Sequence, residues 1–173
     1  DAERLASAIM GAGGHAHVVL ADLADHEAVR GLMPAAAAFG RLTLLVNNAG
    51  EFEPDDIETL SHARFQRAVA VNLEAPLFLS QAFAAQAPEG LDASIVNIVD
   101  QRVLKPNPRF FSYTLSKSAL FTATTTLAQA LAPRIRVNGV APGPTLPSPR
   151  QTDAQFAAQA DSVPLKRGPQ PDD

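Results

Sequence analysis

The chain has 173 residues, 46% of them hydrophobic and 18% charged, which favours one folded domain with its own core. Its net charge of −4 argues against a nucleic-acid or anionic-membrane partner. The chain has no cysteine, which excludes disulfides and thiolate metal sites. No unbroken apolar run reaches the roughly 18 residues of a membrane helix, so we expect a cytoplasmic protein with no membrane partner.

Helix and strand patterns alternate along the chain. Apolar spacing and capping residues predict helices over residues 1–11, 25–38, 61–86 (with a bend or break at Pro76) and 111–131, and a short helix from about residue 152. Strands are predicted over residues 17–21, 42–46, 94–99 and 135–140, and the second of them reads as buried on both faces. The four prolines in 142–151 predict a loop. This order predicts an α/β, Rossmann-like, doubly wound parallel sheet with helices on both faces, as a single domain over 1–173.

Two polar residues in the predicted helix 111–131 suggest acid–base chemistry. Tyr113 and Lys117 are four residues apart, so a helix places both on one face. A phenol has an ordinary pKa of about 10 and is a poor acid or base at neutral pH, but an ammonium beside it favours the phenolate. Taken alone, the same pattern also fits two exposed polar residues on an amphipathic helix.

The histidines offer little support for a metal site. His15 and His17 would share one face of the strand predicted at 17–21 and its approach, but no third histidine or carboxylate follows at ligand spacing. We therefore predict no metal.

Three further segments resemble the motifs of short-chain dehydrogenases/reductases, in the family's order and spacing. Asn47-Asn48-Ala49-Gly50 resembles the turn after a central strand, Asn72 the family's helix asparagine, and Pro142-Gly143 the turn over the nicotinamide. The resemblance extends from the first helix to about Pro169. It implies that the first two strands, with their glycine-rich phosphate loop, and the last strand are absent from this sequence.

The implied gap in the sheet has a physical consequence. In the family's strand order, the two absent strands lie between residues 18–20 and 44–46, about 14 Å apart at the usual strand spacing. Unpaired backbone groups across such a gap cost too much to persist. We expect either that the sequence is part of a longer protein, and binds cofactor poorly alone, or that these strands pair differently. Gly11–Gly14 follows a helix and precedes a strand, so it reads as a helix end rather than a phosphate loop.

The family's usual catalytic serine position, 13 residues before Tyr113, holds Asp100. An ionised carboxylate cannot donate a hydrogen bond to a ketone oxygen, but it can accept from the N–H groups of a ring. Pteridine reductases, which this branch resembles, use Asp, Tyr and Lys in this arrangement. Phe52 stands where they stack the pterin on the nicotinamide, although Gly50 replaces a serine of the nearest of them.

The resemblance implies an NADPH-dependent reductase of pterin-like or other C=N rings, with NADH not excluded. Tyr113 and Asp100 would supply and relay the proton. Lys117 would hold the nicotinamide ribose and lower the pKa of Tyr113, and Asn72 would hold a water that links Lys117 to solvent. The implied cofactor contacts are Asp22, Leu23, Asn48, Ala49, Gly50, Tyr113, Lys117, Pro142, Gly143 and Thr145, and the implied substrate contacts are Phe52, Pro144 and Leu146.

Two other functions fit the sequence. One is a ketone or alcohol dehydrogenase of the same family, and the other is a non-catalytic binding or scaffold protein built on a truncated reductase fold. The expected partners are a small-molecule substrate and further copies of the chain, as a homodimer or homotetramer. Association is expected because helices 61–86 and 111–131 carry apolar residues on more than one face, namely Phe78, Phe83, Leu120, Phe121 and Leu127.

Overall fold

The computed structural model describes residues 1–146 and 152–170. Within them it has six α-helices: α1 (Ala2–Gly11), α2 (His26–Ala37), α3 (His62–Val69), α4 (Ala75–Gln86), α5 (Phe111–Leu131) and α6 (Asp153–Asp161). The strands of this part of the chain are β1 (Leu44–Asn47), β2 (Ala93–Ile98) and β3 (Ile135–Val140). A π-helical segment, Ala70–Glu74, joins α3 to α4, and a 3-10 turn, Gln101–Val103, follows β2. The predicted loop 142–151 is described only as far as Leu146, and its remainder lies outside the described residues.

The three strands form a parallel sheet in the order β1-β2-β3. Parallel neighbours joined through helices are the arrangement of a Rossmann-like α/β fold, so the predicted fold class is confirmed. The core lies where α2 and α4 pack against the sheet, and its fully buried side chains include Phe83, Ile95 and Ile135. Because the three strands are parallel, their carboxyl ends all lie at one edge of the sheet.

A chain of buried polar side chains crosses the sheet. Asn47 on β1 donates from Nδ2 to Asn97 Oδ1 on β2 at 2.8 Å. Asn97 in turn donates from its own Nδ2 to Thr124 Oγ1 on α5 at 2.9 Å. All three residues are buried, and an unpaired amide there would cost about 1–3 kcal/mol. The bonds therefore fix the register of β1 on β2 and hold α5 against the sheet.

Two sequence predictions about strands are wrong. Residues 17–21 form no strand, because no neighbouring strand in the described chain offers them a ladder, and Leu20 is 86% exposed. Strand β1 is not buried on both faces: Leu44 and Val46 are about half exposed, because their side of this edge strand is only partly covered.

Predicted helix 61–86 is correct in extent but is divided by the π-helical segment. Pro76 lies in the first turn of α4, where its missing N–H has no cost.

The stretch His62–Gln86 has 25 residues, and its most apolar 18-residue window has a mean hydropathy of 1.3, which is enough by length and composition alone to cross a membrane. Half of its most apolar window is buried inside the domain. Phe83 and Asn72, both within this stretch, are fully buried against other parts of the chain. Its apolar character is therefore that of a core helix.

The residues expected to mediate association divide into two groups. Phe83 and Leu120 face the core and are at most 1% exposed, so these two residues take no part in an outer apolar face. Phe78 on α4 and Phe121 on α5 are 48% and 42% exposed, and Leu127 is half-buried. Only the exposed phenylalanines and part of Leu127 remain to support an apolar contact surface.

Phe83 and Phe78 make a matched test of this core, because both lie on α4. We expect Phe83→Ala to lower the free energy of unfolding by about 3–5 kcal/mol, since it leaves a cavity in the closed core. Phe78→Ala removes the same atoms from a half-exposed position and should cost less than about 1 kcal/mol. Urea denaturation followed by circular dichroism measures both, and equal losses would contradict the assignment of the core face.

Candidate active site

The candidate site lies at the carboxyl edge of the sheet. The exposed turn Asn48-Ala49-Gly50 follows β1, Asp100 follows β2, and the loop from Pro142 follows β3. The first turns of α5 bring Tyr113 and Lys117 to the same edge, where both make contacts with the end of β2. In open α/β sheets ligands bind at this edge, so the sequence-predicted catalytic residues lie where ligands are expected.

Asp100 and Tyr113 are joined directly. The Tyr113 hydroxyl donates to Asp100 Oδ2 at 2.9 Å. Asp100 also begins the 3-10 turn, where its Oδ1 accepts from the backbone N–H of Arg102 at 2.8 Å. Both carboxylate oxygens are thus fixed, and one of them faces the phenol.

Lys117 lies one helical turn after Tyr113 and is 3% exposed. Its Nζ donates to the carbonyl oxygen of Ile98 at 2.7 Å and lies 5.9 Å from the centre of the Tyr113 ring. A Cβ atom at residue 50 would lie 3.7 Å from that Nζ, so Gly50 keeps the approach from the β1 turn clear. The ammonium is therefore held between the β2 end and the turn after β1.

Asn72, in the π-helical segment, is completely buried and fully bonded. Its side chain accepts from the Glu51 N–H at 2.8 Å and donates to the Glu51 carbonyl at 3.0 Å. It also donates to Ser116 Oγ at 3.0 Å, and Ser116 donates to the Tyr113 carbonyl at 2.8 Å. Asn72 thus ties the loop after β1 to α5, and its predicted water-holding role stays a prediction.

Phe52 lies beside the reactive phenol. Its ring is 4.7 Å from the Tyr113 ring, edge to face, and stacks on Phe110 at 4.3 Å with the planes 2° apart. Phe110 has a φ of 56°, a left-handed conformation that costs a bulky residue energy and is held here by its surroundings. Sequence reasoning missed Phe110, although a second aromatic three residues before Tyr113 was available as a signal.

Asp55 is a second residue that sequence reasoning missed. Its buried carboxylate accepts from the backbone N–H of Ser112 at 3.1 Å and from the Ser112 hydroxyl, and its carbonyl accepts from the Phe111 N–H at 3.2 Å. An acidic group at a helix N-terminus satisfies free N–H groups and complements the helix dipole. Asp55 therefore anchors the start of α5. No local pattern links it to Ser112, which lies 57 positions further along.

The residues predicted to bind the adenine end of a cofactor are Asp22 and Leu23, and this role stays a prediction. Asp22 is exposed and accepts from the Ala24 N–H at 3.0 Å and from Arg67 at 3.3 Å, and these two interactions lower the pKa of its carboxyl. Arg67 also donates to Glu51 at 3.3 Å, which connects Asp22 to the loop that carries Phe52. Leu23 is half-buried and packs on the core.

The loop after β3 makes a tight turn. The backbone N–H of Thr145 donates to the Gly143 carbonyl at 2.8 Å, and the Thr145 hydroxyl donates to the same oxygen at 3.2 Å. Pro144 is buried and Leu146 is 69% exposed. Gly168 packs on this loop so closely that a Cβ atom there would lie 2.2 Å from the Pro144 carbonyl oxygen. The predicted cofactor and substrate contacts of this loop remain predictions.

The pKa shift of Tyr113 beside Lys117 has the opposite direction to the one expected from the sequence. Burial, and then the negative charge of Asp100, raise the pKa of Tyr113 well above its ordinary 10.0. Burial lowers the pKa of Lys117, and Asp100 partly opposes that shift. The expected net lowering of the Tyr113 pKa is therefore wrong for this structure, because burial and the Asp100 carboxylate outweigh the effect of the Lys117 ammonium, whose nitrogen bonds to the Ile98 carbonyl. Tyr113 is a protonated donor at neutral pH.

Residues 1–157 match the model of the short chain dehydrogenase family, and the chain belongs to that family. An uncharacterized oxidoreductase of Methylorubrum extorquens is 38% identical, over 99% of this chain and 71% of that relative. The chloroplastic NADPH-dependent aldehyde reductase 1 of Arabidopsis thaliana is 34% identical, over 85% of this chain and 52% of the relative.

Solved structures agree with the family assignment. The FolM alternative dihydrofolate reductase 1 of Brucella canis, complexed with NADP, superposes with a TM-score of 0.92 at 51% identity. The match covers 98% of this chain and 67% of that protein. The Brucella suis protein, also in complex with NADP, gives a TM-score of 0.92 at 52% identity. The chain thus spans about two thirds of these enzymes and about half of the Arabidopsis reductase.

The raised pKa of Tyr113 predicts a pH dependence of stability. A group that holds its proton more tightly when folded stabilises the fold fully below its unfolded pKa of 10.0, and that contribution is lost as the pH rises towards the folded value. We expect the unfolding free energy of the unmodified protein to fall more steeply above pH 10 than that of Tyr113→Phe, which cannot ionise. Urea denaturation at a series of alkaline pH values measures this, and parallel curves would contradict it.

Proposed function

We propose that the protein is an NADPH-dependent reductase that acts on a C=N bond of a pterin-like ring, such as a dihydropteridine or dihydrofolate. The observation that carries the proposal is the bond from the Tyr113 hydroxyl to Asp100 Oδ2 at 2.9 Å, with the Phe52 ring beside it. An aromatic surface, a proton donor and a carboxylate acceptor together suit a flat heterocycle with an N–H edge. The likeness to two NADP-complexed FolM alternative dihydrofolate reductases supports the same substrate class.

Asp100 supplies the distinction between substrates. A pterin ring offers N–H groups to an ionised carboxylate, whereas a ketone oxygen offers only lone pairs, which a carboxylate repels. Phe52 would add ring stacking, which contributes about 0.5–1.5 kcal/mol beyond the burial of area. Both residues therefore favour a heterocycle over a simple ketone.

Tyr113 is the proton donor in this proposal. Reduction of C=N needs a hydride at carbon and a proton at nitrogen, and a phenol that is protonated at neutral pH can supply the proton. The negative charge left on the phenolate would be stabilised by the Lys117 ammonium, which lies on the same helix face. Asn72 and Asp55 would hold α5 and the Phe52 loop in place during this step.

The residues at the carboxyl edge suit a nicotinamide nucleotide. The exposed turn Asn48-Ala49-Gly50 offers backbone groups, and Gly50 leaves Lys117 clear on that side. Lys117 would bind the ribose hydroxyls, Pro142, Gly143 and Thr145 the nicotinamide end, and Asp22 and Leu23 the adenine. When bound, the nucleotide supplies the hydride. The NADP complexes of similar proteins favour NADPH over NADH.

A carbonyl reductase is the second candidate. It is favoured by the likeness to the NADPH-dependent aldehyde reductase 1 of Arabidopsis, since Tyr113 and Lys117 would serve a carbonyl substrate equally well. Asp100 separates the two candidates, because only the heterocycle has donors for its carboxylate.

We also infer that the protein is a cytoplasmic homodimer or homotetramer. Exposed Phe78 on α4 and Phe121 on α5 support an apolar contact between copies. Sedimentation velocity measures the oligomeric state, and a protein that sediments as a stable monomer would contradict the inferred association.

Removal of the phenol tests the proton donor. In the active holoenzyme, we expect Tyr113→Phe to lower turnover by about 100-fold or more, the usual contribution of a positioned acid. The change also removes the hydrogen bond to Asp100 and could disturb the site as a whole. NADPH binding is therefore measured in parallel by fluorescence, to separate a loss of the proton donor from a loss of cofactor binding. Retained turnover with intact binding would contradict the assignment.

A change at Asp100 tests the substrate class. We expect the unmodified holoenzyme to oxidise NADPH in the presence of dihydropterin or dihydrofolate, and to do so little with acyl ketones. Asp100→Ser should lower turnover of the pterins by about tenfold or more while preserving or raising that of ketones, because a hydroxyl can donate to a carbonyl oxygen. An increase with every substrate would show that Asp100 impairs the site and would favour the scaffold interpretation. NADPH absorbance follows all of these reactions.

A further inference from the structure

Arg102 contacts the Asp100 carboxylate through two separate groups. Its backbone N–H donates to Oδ1 at 2.8 Å, and its guanidinium Nη1 lies 3.5 Å from Oδ2. Oδ2 is the oxygen that accepts from the Tyr113 hydroxyl. The Asp100 and Arg102 side chains are only 17% and 21% exposed, so the ion pair is partly shielded from water. The carboxylate that faces the phenol is therefore also the one that a guanidinium compensates.

The guanidinium is itself held by an aromatic pair. The central carbon of the Arg102 guanidinium lies 5.3 Å from the centre of the Phe52 ring and 5.1 Å from that of Phe110. These distances are within the range of cation–π attraction, which is stronger where water is partly excluded. A flat guanidinium suits this environment better than a lysine ammonium. The stacked rings and the ion pair thus restrict Arg102 to one place beside Asp100.

We propose that Arg102 is a positioning residue of the active site, which holds the Asp100 carboxylate in place and keeps its Oδ2 directed at the Tyr113 hydroxyl. Arg102 acts through Asp100, and the Phe52–Phe110 pair acts through Arg102. The same rings would line the substrate position, so binding a flat ring on Phe52 would be sensed by the arginine. The inference deepens the proposed function and rests on it for its role in turnover.

The hydrogen bonds that Asp100 accepts have a specific consequence for the reaction. A carboxylate compensated by a guanidinium accepts hydrogen bonds and does not donate a proton, which leaves Tyr113 as the proton donor to nitrogen. Asp100 would then align the N–H edge of the substrate and the phenol together. This assigns the two acidic groups different roles.

The sequence provides a direct probe of this arrangement. Tyr113 is the one tyrosine among the 173 residues, and difluorotyrosine introduced at codon 113 labels this site alone. The fluorines lower the pKa of the phenol and bring its titration into a range where proteins stay folded. Fluorine NMR then reports the ionisation of residue 113 without substrate or cofactor.

Arg102→Gln is compared with Arg109→Gln, which removes the same charge from an exposed position in the same loop. We expect Arg102→Gln to raise the ionisation midpoint of the labelled tyrosine by roughly one pH unit, and Arg109→Gln to leave it within a few tenths. Arg102→Lys keeps the charge but loses the flat guanidinium that contacts the rings. Its ionisation midpoint for the labelled tyrosine should therefore lie between those of the unmodified protein and Arg102→Gln. Equal shifts in Arg102→Gln and Arg109→Gln, or no shift in Arg102→Gln, would overturn the proposal.

Other charged groups around Tyr113 stay unchanged in these variants, so the comparison isolates Arg102. They are Lys117 on the same helix, Asp100 after β2, and the residues that line the adjoining cavity: Glu51, Glu53, Asp55, Arg64 and Arg67.

Two measurements complete the test. If Arg102→Gln does not fold, Phe110→Leu replaces it: loss of the stacked ring should raise the midpoint in the same direction, and an unchanged midpoint would contradict the proposal. In the holoenzyme, Arg102→Gln should lower kcat for the pterin by about tenfold with the KM for NADPH unchanged. An unmodified enzyme that ignores pterins would refute the proposed substrate and leave the titration result to decide the role of Arg102.

Discussion

The hydrogen bond from the Tyr113 hydroxyl to Asp100 Oδ2 joins the end of β2 to the first turn of α5, and the other parts of the site are arranged around it. A buried phenol bonded to a carboxylate keeps its proton, which makes it a donor rather than a phenolate at neutral pH. In the proposed reaction, this pair would determine which group gives the proton and which hydrogen-bond donors of the substrate the carboxylate can accept from. A serine hydroxyl at residue 100 could donate a hydrogen bond to a substrate oxygen, whereas the Asp100 carboxylate accepts hydrogen bonds.

Several elements hold that pair in place. The buried Asn47–Asn97–Thr124 chain fixes α5 on the sheet, and Asp55 anchors the N-terminal end of the same helix. Asn72 ties the loop that carries Phe52 to α5. These contacts are buried polar bonds, whose loss costs more than that of exposed ones.

The sequence was most informative where local pattern and chemistry agree. The i, i+4 spacing of Tyr113 and Lys117, the apolar strand ending at Asp100 and the bounds of α5 and β3 could all be predicted. Contacts between distant segments could not: Asp55 meets Ser112 and Arg102 meets Phe52 only through the fold. The strand predicted at residues 17–21 does not form because a strand needs a neighbour, and the strands that the family resemblance places beside it are absent from this sequence. The net pKa of Tyr113 was not lowered as expected, because burial of the phenol and the neighbouring Asp100 carboxylate depend on contacts between distant segments.

A double-mutant cycle between Asp100 and Tyr113 tests the central claim most directly. The free energies of unfolding of the unmodified protein, Asp100→Asn, Tyr113→Phe and the double variant are measured near neutral pH, and the coupling between the two changes is extracted. A partly buried hydrogen bond to a charged group predicts a coupling of about 1.5–3 kcal/mol. A coupling near zero would show that the two side chains do not interact in the folded protein, and would contradict the account.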